Sequence, residues 1–341
     1  MFISLPLTFR LFAGKKSLQD YWPTKSWRTS SPEEQGIDAK QLKQINDSVR
    51  EELLKISSVL VVRNGYIVFE EYYSGNENDL RTLWSATKSI TSALIGIVLK
   101  KGNIDSIDQK LVGFFPDYVE EDTDPQFNKI TIRHLLTMTA GFSRSFEGLT
   151  SLNPIKSAFR ISLDSEPGIN AAYNSTASHL LSGIINKTTG LNALEFGKKY
   201  LFEPLGIYNM KWDSDPQGNY YGGYGLQLSS RDMAKIGYLH LKNGKWDKKQ
   251  ILTEEWVKES TQKQSEGGLK SYNRFINESY GYQWWVTSIE GHSAYYAFGG
   301  GPFIYIINDL NVIIVITSDS WNVATKNKDI IERFVVPAIR E

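Results

Sequence analysis

Ser85 and Lys88, in the run Ser85-Ala86-Thr87-Lys88, are the two side chains in this sequence whose types and spacing best suit joint chemistry. A serine hydroxyl attacks a carbonyl only when a neighbouring base takes its proton. A lysine serves as that base when burial or a nearby positive charge keeps it neutral part of the time. Ile90, Ala93, Leu94, Ile97 and Val98 follow at helical spacing, which predicts a helix from Ser85 to Lys100. Residues three apart are neighbours on a helix, so Lys88 would lie beside Ser85. The helix start would also offer backbone N–H groups to a developing oxyanion. Taken alone, Ser-x-x-Lys is equally an N-cap serine followed by a surface lysine. The strongly apolar face points instead to a buried helix with the motif at its exposed end, opposite a small or polar stripe of Ser85, Lys88, Ser89, Ser92 and Gly96.

Elements at both chain ends must position this helix. Leu42, Ile45, Val49, Leu53 and Leu54 predict a helix over about 37–54, capped by Asp38. Runs 57–63 and 66–72 read as strands joined at Asn64-Gly65, a strong hairpin signal. Three more strands are expected at 293–299, 303–308 and 311–317, and a closing helix from Ile330 to Ile339. The stretch 85–270 reads mostly as helix and loop. The fold class expected is therefore α+β in two lobes: an antiparallel sheet of about five strands from both ends, flanked by helices, with a central helical lobe. The division expected is an N-terminal extension over 1–30 and one domain over 31–341, its sheet lobe at about 31–80 plus 275–341 and its helical lobe at about 81–274. A site between lobes is the natural place for a ligand.

The composition is that of a folded chain: 341 residues, 41% hydrophobic, 22% charged and formal net charge zero. No global field draws it to nucleic acid or an anionic membrane. The absence of Cys excludes thiol catalysis, disulfides and Cys-ligated zinc. His134, His179, His240 and His292 lie far apart without HExxH or HxH spacing, so neither a metal nor another cofactor is expected. The opening residues are apolar but interrupted by Pro6 and Arg10, and read as an amphipathic extension rather than a secretory peptide; a cytoplasmic location is expected. No run of eighteen apolar residues marks a transmembrane helix. Oligomeric state is not legible.

Several segments fit one pattern in order: Ser31-Pro32-Glu33-Glu34-Gln35-Gly36, the Trp84–Ser89 segment, Ile130 through Gly141, Phe202-Glu203-Pro204-Leu205-Gly206, Gly225 through Ala234, and Tyr280-Gly281-Tyr282-Gln283-Trp284-Trp285. Over about 30–341 the chain resembles the serine β-lactamase-like and penicillin-binding-protein-like superfamily, on its class C side. That branch also holds esterases, D-amino-acid peptidases and 6-aminohexanoate-dimer hydrolases. The resemblance implies that Tyr173, in Pro167-Gly168-Ile169-Asn170-Ala171-Ala172-Tyr173-Asn174-Ser175, sits beside Ser85 and Lys88 and moves the proton, as a phenolate or through hydrogen bonding. It implies that Trp84 and Ser175 line the substrate site. The family's Lys-Thr-Gly strand corresponds to Tyr296-Ala297-Phe298-Gly299-Gly300-Gly301, where Gly299 would let substrate approach and the Gly300 N–H would complete an oxyanion hole.

Two departures redirect the substrate. Ser175 stands where the Tyr-x-Asn motif has an amide, and the Lys and Thr of Lys-Thr-Gly are absent. A carboxylate-bearing β-lactam or D-Ala-D-Ala substrate would lose a charge-assisted contact of roughly 1.5–3 kcal/mol. The expected activity is hydrolysis of a carboxylic ester or small amide through an acyl-enzyme on Ser85, with Lys88 and Tyr173 as general base and acid. The alternatives are a penicillin-binding, D-peptidase or β-lactamase activity, a binding or sensor module without turnover, and acyl transfer to an alcohol or amine. Lys187-Thr188-Thr189-Gly190 reads as a helix end with Gly190 as its cap. Glu166 reads as a chance match to a general-base loop, His292 as a packing or surface residue, and the Tyr280–Trp285 aromatics as core or pocket wall. Asn219 through Tyr224 reads as a mobile rim.

Overall fold

The computed structural model describes residues 21–51, 55–143, 148–266, 278–318 and 324–340. The expected N-terminal extension therefore falls largely outside the described residues. The expected α+β class holds. Its main sheet takes strands from both chain ends: β1 (Arg28–Thr29), β2 (Ile56–Arg63), β3 (Tyr66–Tyr72), β4 (Ser279–Tyr280), β5 (Trp285–Ile289), β6 (His292–Phe298), β7 (Phe303–Ile307) and β8 (Val312–Ser318). The order across the sheet is β1-β3-β2-β8-β7-β6-β5-β4.

The hairpin joining β2 and β3 turns at Asn64 and Gly65, with φ of 52° and 81°. Two successive left-handed residues make the turn that matches strand twist. The two chain ends meet where β2 pairs antiparallel with β8, in the register Val59 to Ile316 and Val61 to Ile314. Their apolar residues are buried, and helix Ser230–Leu241 packs on these central strands. The sheet is wider than the five strands expected, and β1 joins β3 in parallel, which makes it mixed. The extra strands β1 and β4 have two residues each, too few to show an alternation, and β5 lies beside an aromatic run.

Helix α1 (Ala39–Glu51) starts where Asp38 Oδ1 accepts the N–H groups of Lys40 and Gln41. It packs against the C-terminal helical turns. Helix α2 (Thr87–Lys100) is buried over its whole length to Val98, including its polar stripe. It packs on α3 (Ser175–Thr189), which ends at Gly190 with φ 71°, as the cap reading required. Helix α4 (Ser230–Leu241) lies in the stretch between the sheet's two chain segments, yet it packs on β2, β7 and β8; a Cβ on its Gly237 would come within 2.7 Å of Ile313. No described helix is long and apolar enough to cross a membrane.

Candidate active site

Ser85 lies in a tight turn, Trp84–Ala86, that leads directly into α2. Trp84 holds φ 45°, a left-handed value that costs a non-glycine residue about 1 kcal/mol or more. Its ring is 39% exposed, on the open side of the turn. The strand β6 runs onto the same turn. A Cβ on Gly299 would stand 1.9 Å from the Leu83 carbonyl oxygen and 2.8 Å from Ala86 N, so only glycine permits this approach. Gly299 N–H donates to the Pro302 carbonyl, and Ala86 N–H to the Leu83 carbonyl. The candidate oxyanion donors are then the N–H groups of Ser85 and Gly300, the latter at φ 78°.

Lys88 is 1% exposed. Its Nζ lies 3.3 Å from Ser85 Oγ and donates to Ser175 Oγ at 2.9 Å and to the Gly223 carbonyl at 2.9 Å. Burial pushes the amine from its ordinary 10.5 down to about 7. Such an amine is neutral for much of the time near neutral pH. Neutral lysine has two N–H groups and one lone pair, so donation to Ser175 and Gly223 leaves the lone pair for the Ser85 hydroxyl.

Tyr173 comes in from the strand-like stretch before α3. Its hydroxyl is hydrogen-bonded to Ser85. Lys88 Nζ lies over its ring, 4.8 Å from the centroid. The ring stacks on Trp285 at 5.6 Å and meets Tyr280 edge-on at 6.1 Å. Burial raises the phenol above its ordinary value, while the Ser85 hydrogen bond pulls the other way. The direction favours the protonated, hydrogen-bonded phenol over the phenolate.

Ser175, expected to line the substrate site, is buried, and its Oγ accepts from Lys88 Nζ at 2.9 Å. The segment Asn219–Tyr224 also differs from the mobile rim expected. It is clamped: Ser182 Oγ donates to the Tyr220 carbonyl at 2.6 Å, Thr91 Oγ1 to Gly222 at 2.8 Å and Lys88 to Gly223. A Cβ on Gly222 would stand 2.1 Å from the Ser178 carbonyl oxygen. The glycines are there for contact with two buried helices, a demand that looks like loop flexibility in sequence.

Gln283 is a further residue that sequence reasoning missed. It is buried at φ 63°, and its side chain accepts from Ser178 Oγ at 2.7 Å and donates to the Leu135 carbonyl at 2.9 Å and the Leu136 carbonyl at 3.1 Å. Its own carbonyl accepts from Ser89 Oγ at 2.7 Å, so it ties α2 to α3 just behind Lys88. Its place in the Tyr280–Trp285 motif was the available signal.

The residues set aside from sequence lie elsewhere. Glu166 pairs with Lys129 at 2.6 Å, with both side chains more than half exposed. His292 pairs with Asp309 at 2.6 Å at the hairpin end of β6. His240 is buried against Trp284, and His134 closes a capping box with Thr131. Among the described residues no three His, Asp or Glu side chains converge as a metal site would require.

Comparison with known proteins fits this geometry. The 6-aminohexanoate-dimer hydrolase of Paenarthrobacter ureafaciens is 22% identical over 258 residues, 68% of this chain and 64% of that enzyme, which is under two thirds of its length. A Bacillus anthracis structure assigned as a 6-aminohexanoate-dimer hydrolase superposes with a TM-score of 0.73 at 21% identity, covering 91% of this chain and 86% of that one. Simvastatin synthase from Aspergillus terreus, solved as a mutant, superposes with a TM-score of 0.67 at 17% identity, covering 87% and 95%. These structures share the fold. Residues 55–334 match the beta-lactamase family over most of the chain. The chain belongs to the beta-lactamase family, hydrolases of the serine beta-lactamase-type fold.

Proposed function

We propose that this protein hydrolyses a carboxylic ester or small amide through an acyl-enzyme on Ser85. The observation that carries this reading is the setting of Lys88 Nζ, 3.3 Å from Ser85 Oγ and 2.9 Å from both Ser175 Oγ and the Gly223 carbonyl, so that a neutral amine donating to the latter two turns its lone pair to Ser85. Lys88 takes the Ser85 proton as Oγ attacks the carbonyl carbon. The N–H groups of Ser85 and Gly300 receive the oxyanion. Tyr173, hydrogen-bonded at the same Oγ, donates a proton to the leaving atom, and the Lys88 ammonium returns one to the Tyr173 oxygen. Water then attacks the acyl-enzyme, its proton passing to the same base, and as the carbon–Oγ bond breaks that proton goes to Ser85 Oγ, which restores both the hydroxyl and the neutral amine.

The missing Lys and Thr beside Gly299 favour substrates without a carboxylate over β-lactams and D-Ala-D-Ala peptides. A hydrolase of a 6-aminohexanoate dimer among its relatives extends the range from esters to linear amides. The test is a panel of short- and long-chain p-nitrophenyl esters, a linear amide, a β-lactam and a D-Ala-D-Ala peptide against wild type and Ser85→Ala. Turnover of the neutral esters, with a fluorophosphonate adduct mapped to Ser85, supports the reading. Ester turnover that survives in Ser85→Ala overturns it.

A further inference from the structure

We propose that the buried pair His179–Asp215 is a positioning device for Lys88, holding segment 213–224 so that the Gly223 carbonyl stays on the lysine. The inference rests on the reading of Lys88 as the base of the reaction.

The two side chains are 1% and 0% exposed, and His179 Nε2 lies 3.1 Å from Asp215 Oδ2. His179 is four residues beyond Ser175 on α3, so one face of one helix carries both the Lys88 contact and the anchor. Asp215 gathers the start of the segment. Its Oδ1 accepts from Gln217 N at 2.8 Å and Asn219 N at 2.9 Å, and its Oδ2 from Asn219 Nδ2 at 3.2 Å. Burial alone would raise this carboxyl, but the bonds from His179 and Asn219 outweigh it and hold the group below its ordinary value, so it is an anion. Asn186, also on α3, donates to Asn219 Oδ1 at 3.0 Å. The next residues lie flat on the helices. The Tyr221 ring leans on the His179 ring at 5.1 Å, and Gly222 and Gly223 then present their carbonyls to Thr91 and Lys88.

A buried carboxylate is seldom the most stable filling for its volume, since its desolvation must be offset by hydrogen bonds such as those from His179 and Asn219. The His179–Asp215 pair is the most buried of the links between α3 and the segment that supplies one of the two acceptors on Lys88, beside Asn186 to Asn219 and Ser182 to Tyr220. Loss of the pair loosens the start of the segment, and a shift passed on to the Gly223 carbonyl gives the amine a second orientation in which it misses Ser85. A misplacement on the order of 1 Å at a reacting group costs as much as 10²-fold in rate.

The experiment compares wild type, His179→Leu, His179→Gln, Asp215→Asn and Ser85→Ala on one neutral ester, with kcat expressed per folded molecule from circular dichroism. His179→Leu is expected to lower kcat by about tenfold or more with KM within about twofold, and His179→Gln, which restores an N–H near Nε2, is expected to recover most of it. A merely structural pair would lower Tm and the folded fraction but leave kcat per folded molecule at the wild-type value in His179→Leu, and that result overturns the proposal. Should His179→Leu not fold, Asp215→Asn carries the same comparison: a fall in kcat at constant KM supports the proposal and an unchanged kcat overturns it. Ester turnover that survives in Ser85→Ala removes the hydrolase reading itself, and this inference with it.

Discussion

Lys88 Nζ donates to the carbonyl oxygen of Gly223 at 2.9 Å, across 135 residues of chain. The contact sits in a fully buried cluster that also holds Ser175, and it leaves the lysine facing one partner on the open side, the Ser85 hydroxyl. An ammonium in that position would lack a third acceptor of the same quality and would forgo its hydration. Burial therefore shifts the amine toward the neutral form, which is the form the proposed base needs.

The amine titrates near 7, so activity is expected to rise with pH through that region and then level off. The measurement is the acid limb of kcat/KM on a neutral ester. Lys88→Met should lower kcat/KM by on the order of 10³-fold or more, since the base and its partners act as a unit.

Stability should carry the same signature with a definite sign. Between about pH 7 and 10.5 the unfolded chain holds a proton on Lys88 that the folded chain has lost. Stability attributable to this group therefore rises with pH across that window, with a slope of about 1.4 kcal/mol per pH unit, and the penalty is complete below pH 7. Denaturant unfolding of wild type and Lys88→Met at pH 7 and 9.5 should show the difference between them shrinking as pH rises. A constant difference would sink the assignment of the shift.

Ser175→Ala removes one of the two acceptors on the amine. The expected loss is about 1–1.5 kcal/mol, or roughly tenfold in kcat, with KM little changed. Steady-state kinetics on an ester decide this, and a rise in KM at constant kcat would instead make Ser175 a substrate contact.

Gly299→Ala forces a methyl group against the Leu83 carbonyl, so β6 and the Ser85 turn must separate. The turn and the candidate oxyanion donor at Gly300 would lose their mutual register. A fall in kcat of about 10–10²-fold is expected, with the fold retained because the strain lies at the strand's end. Kinetics and circular dichroism on the same sample test both halves.

Glu166→Gln should be silent. The carboxylate is more than half exposed and paired with an exposed Lys129, and such pairs contribute about 0–1 kcal/mol. Ester turnover within about twofold of wild type is the expected result, and a large loss would reinstate Glu166 as a base.

Local signals in the chain were enough for the hairpin at Asn64-Gly65, the three C-terminal strands, the cap at Gly190 and the burial of the helix after Ser85. Each depends on residues within a few positions of one another, so period and turn chemistry expose them. The pairing of Ser85 with Lys88 belongs to this class, since one turn of chain joins them. What makes Lys88 a neutral amine does not. Ser175 and Gly223 reach it from 87 and 135 residues away, and Gln283 reaches Ser89 from 194. A backbone carbonyl leaves no mark in a sequence, because every residue has one. Gly222 and Gly223 looked like a mobile rim because glycine serves loop freedom and close packing alike, and only the helices lying against them distinguish the two. Residue type and spacing thus named the candidate nucleophile and candidate base, while long-range burial lowers the amine's pKa and sets the partners that hold it beside Ser85.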